Sequence, residues 1–167
     1  MDPVTQGALG AAATLAGLQK RSPLSTGALA TMGWVGGMAA DLDILIRSAD
    51  DPLLAIEYHR HFTHALAFIP LGGLFAALPW LFFNRWRTHY RWVIAATTLG
   101  YATHALLDAC TTYGTLLFWP FSDYRVSWRF VSVIDPVVTL PLLAGVVLAI
   151  RTHKRRWSEL AVGWVLM

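Results

Sequence analysis

The chain has 167 residues, of which 56% are hydrophobic and 14% charged, and its formal net charge is +3. An ordinary soluble domain is about 25% charged, so this composition, with a mean hydropathy of +0.49, excludes intrinsic disorder and argues against a water-soluble globule. A single cysteine, Cys110, excludes an intramolecular disulfide framework and a CxxC-type zinc site.

Residues 4–18 are rich in Ala and Gly. They are short for a membrane span, but small residues let helices approach closely. Asp2 stands where a secretory signal would be basic, so the segment does not read as a signal peptide. Residues 24–46 are again Gly/Ala-rich and meet Asp41 and Asp43 near their end. Residues 65–83 are uncharged. As a helix they would run about 28 Å, the depth of a hydrocarbon core. Residues 92–103 are apolar and continue through His104 and Asp108 toward Gly114, and residues 131–150 carry one acid, Asp135. The expected fold is all-α, a polytopic helical membrane bundle with about five spanning or membrane-embedded helices. Residues 1–156 form one domain. Residues 157–167 start a further apolar helix, either short or truncated.

Alternating spans sort the charges. The connectors 19–23, 84–91 and 151–156 hold nine of the 13 basic residues and no acid, whereas nine of the ten acids fall on the other side. The positive-inside rule makes the basic side cytoplasmic. The basic character therefore reflects topology, and no nucleic-acid partner is expected. The expected location is a bacterial inner membrane, multi-pass.

The acidic side also gathers the histidines. Asp41 and Asp43 end one predicted helix, His59, His61 and His64 lead into the next, and His104 and Asp108 lie in a third. Ionisable groups at membrane depth are costly and are functional candidates by default. His104 and Asp108, spaced i, i+4, share a helix face and can present an imidazole and a carboxylate to one cation. The plain alternative is a hydrogen-bonded pair inside the bundle. Asp41 and Asp43, spaced i, i+2, reach one site only where the helix ends or bends. Thr63 is placed to N-cap a helix with His64 in its first turn. Arg60 is suited to an anionic group on a substrate. Asp135-Pro136 and Asp2-Pro3 read as helix caps.

The elements MDPVTQGALG at 1–10, DLD at 41–43, HRHFTHA at 59–65, HALLDACTTYGT at 104–115 and WPFS at 119–122 resemble the YdjM-type membrane-bound metal-dependent hydrolases. The resemblance covers nearly the whole chain. It implies a divalent-metal site on Asp41, Asp43, His59, His64, His104 and Asp108. More remotely, the pattern is similar to the all-helical zinc-dependent phospholipase C and nuclease group, which implies phosphoester hydrolysis. Gln6 stands where many family members carry His, and Ala65 replaces a usual Ser.

The function expected from these readings is hydrolysis of a phosphoester in a membrane lipid or lipid-linked substrate, at the periplasmic or outer face. His and Asp ligands without thiolates favour zinc, with manganese or iron as alternatives, and six ligands suit one or two ions. Asp43 or Asp41 would take a proton from the attacking water. The rival classes are a metal or proton transporter or sensor, and a structural module without catalysis. Transport predicts polar groups continuing through the membrane, whereas the basic-side halves of the spans are almost wholly apolar.

Overall fold

Asp2 starts the first helix. Its carboxylate accepts from the Thr5 N–H (3.0 Å) and the Thr5 hydroxyl (2.5 Å). Pro3 stands where a missing N–H costs nothing. Helix α1 then runs over Pro3–Leu18, and Ser25 caps α2, Thr26–Met38. Beyond Met38 the chain tightens into a 3-10 segment, Ala39–Leu45. The short α3 (Leu54–Tyr58) leads through two 3-10 turns, Phe62–His64 and Leu66–Phe68, into α4, Ile69–Leu81. A single turn, α5 (Asn84–Arg87), precedes α6, Tyr90–Ala109. After an irregular stretch come α7 (Pro136–Thr152) and α8 (Arg156–Val165). This computed structural model describes every residue except Ala49 and Pro52, and at Ala55 the backbone only.

Helix α1 packs against α2, α6, α7 and α8, while α6 also packs against α2 and α4. Small side chains fill this interior: Ala8, Ala11, Ala12, Ala77, Ala96 and Ala149 are all buried. At the crossing of α2 and α6, a Cβ on Gly100 would fall onto the Gly33 carbonyl. Backbone meets backbone there, an approach that only glycine permits. Leu15, Leu29, Met32 and Leu142 complete the interior, while many other large apolar side chains point outward. Leu71, Leu74, Phe75 and Leu78 of α4 and Val137 and Leu140 of α7 are exposed. Contiguous exposed apolar surface marks contact with lipid or with protein.

All five expected helical regions contain a helix, so the all-α class holds among the described residues. Their lengths differ from expectation. The region 24–46 stops being α-helical at Met38, and the region 65–83 becomes α-helical only at Ile69. Ala65, with extended backbone (ψ 144°), separates the turn Phe62–His64 from the turn Leu66–Phe68 that leads into α4. Among the described residues no single helix is long and apolar enough to cross a membrane. One pair, Ile56–His64 with Leu66–Leu81, meets that length and composition together, bent by 64°. The expected further helix at 157–167 corresponds to α8.

Candidate metal centre

The site is built where three segments meet at one end of the bundle. Helix α6 contributes His104 and Asp108, one turn apart. The 3-10 segment after α2 contributes Asp41 and Asp43, and the turn Phe62–His64 contributes His64. His64, His104 and Asp108 are fully buried, and the Asp41 side chain is 26% exposed.

The donor atoms converge. The Nε2 atoms of His64 and His104 lie 2.9 Å apart. The Asp108 Oδ2 atom is 3.2 Å from His64 Nε2 and 3.5 Å from His104 Nε2. Asp41 Oδ1 is 3.6 Å and 3.3 Å from the same two nitrogens. All four ligand atoms lie within 4.8 Å of one another.

The far side of each ring decides what faces the centre. His104 Nδ1 is 2.5 Å from the Gly37 carbonyl, which can only accept, so Nδ1 carries the proton. Gly37 lies in the last turn of α2, where carbonyls lack helical partners. His64 Nδ1 is 3.0 Å from the Thr63 hydroxyl. That hydroxyl already donates to Asp43 Oδ2 at 2.8 Å, so it accepts from His64. In the neutral rings both Nε2 atoms therefore present lone pairs to the centre, and outer partners fix the tautomers as they do around bound metals. The buried Asp108 Oδ2 has no hydrogen-bond partner among the described residues. The carboxylate already has Arg60 Nε 3.1 Å from Oδ2, but two imidazole lone pairs facing one point repel unless a cation or a proton lies between them. Donor separations near 3.3 Å are those of four ligands about 2.0–2.1 Å from a common centre. The donor set therefore fits a divalent ion.

Asp43 sits behind His64. Its Oδ1 is 2.9 Å from His59 Nδ1, and its Oδ2 accepts from the Arg60 backbone N–H (3.0 Å) and Thr63. Asp41, Asp43 and His59 form a second convergent group that shares Asp41 with the first. Arg60, buried with φ 61°, places Nε 3.1 Å from Asp108 Oδ2 without hydrogen-bond alignment. Its Nη1 donates to the Thr111 hydroxyl at 3.1 Å, and its guanidinium lies 5.0 Å from the Tyr113 ring centroid.

The chain after α6 folds back over this end. Thr115 and Val126 form an antiparallel bridge, and the Leu66 N–H donates to the Leu117 carbonyl at 3.0 Å. From beneath, the Tyr101 hydroxyl donates to the Thr63 carbonyl at 2.6 Å. These contacts fix the loop that carries His59 to His64.

A family model described as "YdjM inner membrane protein" matches residues 1–167. The chain belongs to the YdjM inner membrane protein family. Membership places it among integral inner-membrane proteins. It is also 27% identical over 140 residues to "Uncharacterized protein YfhP" of Bacillus subtilis (strain 168), covering 83% of this chain and 42% of YfhP. The chain thus matches less than half the length of that relative. No solved structure matches it.

Of the six ligand candidates read from the sequence of this YdjM family member, the structure brings Asp41, His64, His104 and Asp108 into one group and Asp41, Asp43 and His59 into the other. His61 stays outside both and packs against Tyr58, Phe62 and Trp119. Asp135 caps α7 through the Val137 and Val138 N–H groups. Thr63 does not cap a helix. It donates to Asp43 and accepts from His64, because the turn at 62–64 is separated from α4. The resemblance singled out Gln6 as standing at a ligand position, but sequence reasoning did not pair it, or Met1, with Asp108 Oδ1. Gln6 Nε2 donates to it at 2.9 Å, and the Met1 amino group contacts it. The MDPVTQ element carried the only signal for Gln6.

Proposed function

We propose that the chain is a membrane-embedded metal-dependent hydrolase acting on a phosphoester in a lipid or lipid-linked substrate. The observation that carries the reading is the pair of facing His64 and His104 Nε2 atoms with Asp108 Oδ2 3.2 and 3.5 Å from them. Asp41, His64, His104 and Asp108 hold one ion, zinc in first place with manganese or iron as alternatives. Asp43 and His59, sharing Asp41, offer a second position. A divalent ion bound by these residues would supply an activated water and polarise a phosphoryl oxygen.

The chain's own groups divide the remaining work. Asp41 is the ligand-set member open to solvent and takes the proton from the attacking water. Asp43 has its oxygens engaged by His59, Arg60 and Thr63 and orients the loop. Arg60 and Arg125 both lie over Tyr113, at 5.0 and 5.3 Å, beside a cavity of about 440 Å³ that also includes His59 and Val133. They receive an anionic group of the substrate.

An apolar groove supports a lipid substrate. A cavity of about 600 Å³ lies between α2 and α4, lined by Val35, Leu42, Phe75 and Phe82. It shares Ala39, Leu42 and Phe75 with a cavity of about 380 Å³ whose walls include Asp43, Thr63 and Tyr101. An acyl chain laid along this groove brings its headgroup toward the centre. The charge sorting in the sequence sets this end at the outer face of a multi-pass bundle.

The test is hydrolysis by purified, metal-loaded protein of a phospholipid, a lipid pyrophosphate and bis(p-nitrophenyl) phosphate, beside Asp41→Asn. Turnover abolished by the substitution is the expected result. A metal-loaded protein that cleaves none of the three overturns the hydrolase reading.

A further inference from the structure

The opposite end of the bundle holds a second polar cavity. Helix α2, 13 residues and about 20 Å long, separates it from the Asp/His centre. The cavity has a volume of about 500 Å³ and lies between the α1–α2 turn and the α7–α8 junction. Lys20 enters from the first, and His153, Lys154, Arg155 and Arg156 from the second.

The charge in this cavity is unbalanced. Its one carboxylate, Glu159, is already 2.7 Å from Arg155 Nη2. Lys20, Lys154 and Arg156 form no ion pair among the described residues. A cleft lined by one sign of charge focuses potential and concentrates counter-ions. Two buried polar atoms beside it, Arg155 Nε and Gln19 Oε1, also lack partners among the described residues.

The local structure is built rather than frayed. Arg155 Nη1 donates to the Ala16 carbonyl at 3.3 Å, tying the junction to α1. His153, held at φ 54°, sets its Nδ1 3.3 Å from the Thr26 hydroxyl. Helix α8 begins at this cavity, so the positive end of its dipole adds to the field.

We propose that this cavity is a binding site for a phosphate group. Its concentrated positive charge, drawn from two short segments, suits a compact, multiply oxygenated anion better than an extended acidic chain. Lys and Arg make charge-assisted hydrogen bonds to phosphate oxygens. The phosphate belongs either to an anionic phospholipid headgroup, as basic pockets between membrane helices bind, or to a soluble phosphate compound. This site is independent of the metal centre and of the hydrolase reading.

The experiment uses the full chain in detergent and the variant Lys20→Gln/Lys154→Gln/Arg156→Gln, three exposed positions. Dioleoyl-phosphatidylglycerol and dioleoyl-phosphatidylcholine are titrated by native mass spectrometry, and inorganic phosphate by calorimetry. Phosphatidylglycerol binding at least tenfold weaker in the triple variant, with phosphatidylcholine weak on both proteins, identifies a lipid headgroup. The same loss seen with inorganic phosphate alone identifies a soluble ligand. Equal binding to both proteins, or none of either anionic probe, overturns the proposal. An unchanged circular dichroism spectrum and thermal unfolding midpoint of the triple variant report that the fold is intact.

Discussion

His64 and His104 turn their Nε2 atoms toward each other at 2.9 Å while their Nδ1 atoms are engaged by Thr63 and Gly37. Each neutral ring thus spends its proton on the outer side. The contact is repulsive unless something positive stands between the rings and Asp108. Replacing either ring removes a ligand and leaves an acidic pocket. Metal content by elemental mass spectrometry is expected to fall at least tenfold in His64→Ala and in His104→Ala, with the secondary structure by circular dichroism unchanged. Equal metal content in wild type and both variants would show that any bound ion lies elsewhere.

Asp41 and Asp43 are two residues apart and have different surroundings. Asp41 faces both imidazole Nε2 atoms, whereas Asp43 holds Thr63, His59 and the Arg60 backbone. Asp41→Asn is expected to abolish both metal retention and turnover. Asp43→Asn weakens metal affinity by about 10–100-fold, the usual cost of losing a group that orients a ligand, and excess metal restores turnover. Failure of excess metal to rescue Asp43→Asn would place Asp43 among the direct ligands of an essential ion.

The sequence made the local relations legible and left the long-range ones hidden. His104 and Asp108 share a face because helix period alone dictates it, and the Asp2 and Asp135 caps follow from their Asp-Pro pairs. Thr63 was read as a cap because a helix was expected to begin beside it. The extended backbone at Ala65 freed its hydroxyl for Asp43 and His64 instead. The left-handed Arg60 carries no local signal, since arginine has no preference for that region. Gln6 reaches Asp108 only because α1 packs directly on α6, and no spacing within one segment encodes that approach.

The same packing makes a remote glycine matter to the centre. Gly100 of α6 meets the Gly33 carbonyl of α2, one turn from His104. A larger residue must push the two helices apart, and His104 then loses its hold on Gly37. Gly100→Val is expected to cost about 1–3 kcal/mol, as overpacking does, read as a lower midpoint of thermal unfolding in detergent. Metal affinity should drop in the same variant although no ligand is touched. Unchanged stability and metal binding would mean that the crossing is looser than the structure shows.

The pH dependence of the centre separates a metal site from a structural network, because the two have opposite signs. With an ion bound, both Nε2 atoms must be unprotonated. Lowering the pH sets protons against the ion, and affinity falls by about tenfold per pH unit for each proton displaced. Without an ion, a proton is what holds the cluster together, as a His104 imidazolium between the carboxylates of Asp41 and Asp108. That arrangement is favoured at low pH and is lost as the pH rises. Thermal unfolding of metal-loaded and chelator-treated protein between pH 5 and pH 8 is expected to give curves that converge toward pH 5 and separate toward pH 8, because a bound ion only adds to the stability of the stripped protein. The increment that the ion adds grows toward pH 8 and vanishes toward pH 5. Two parallel curves, both most stable at low pH, would identify the His–Asp cluster as a proton-bridged structural network and remove the metal from the mechanism.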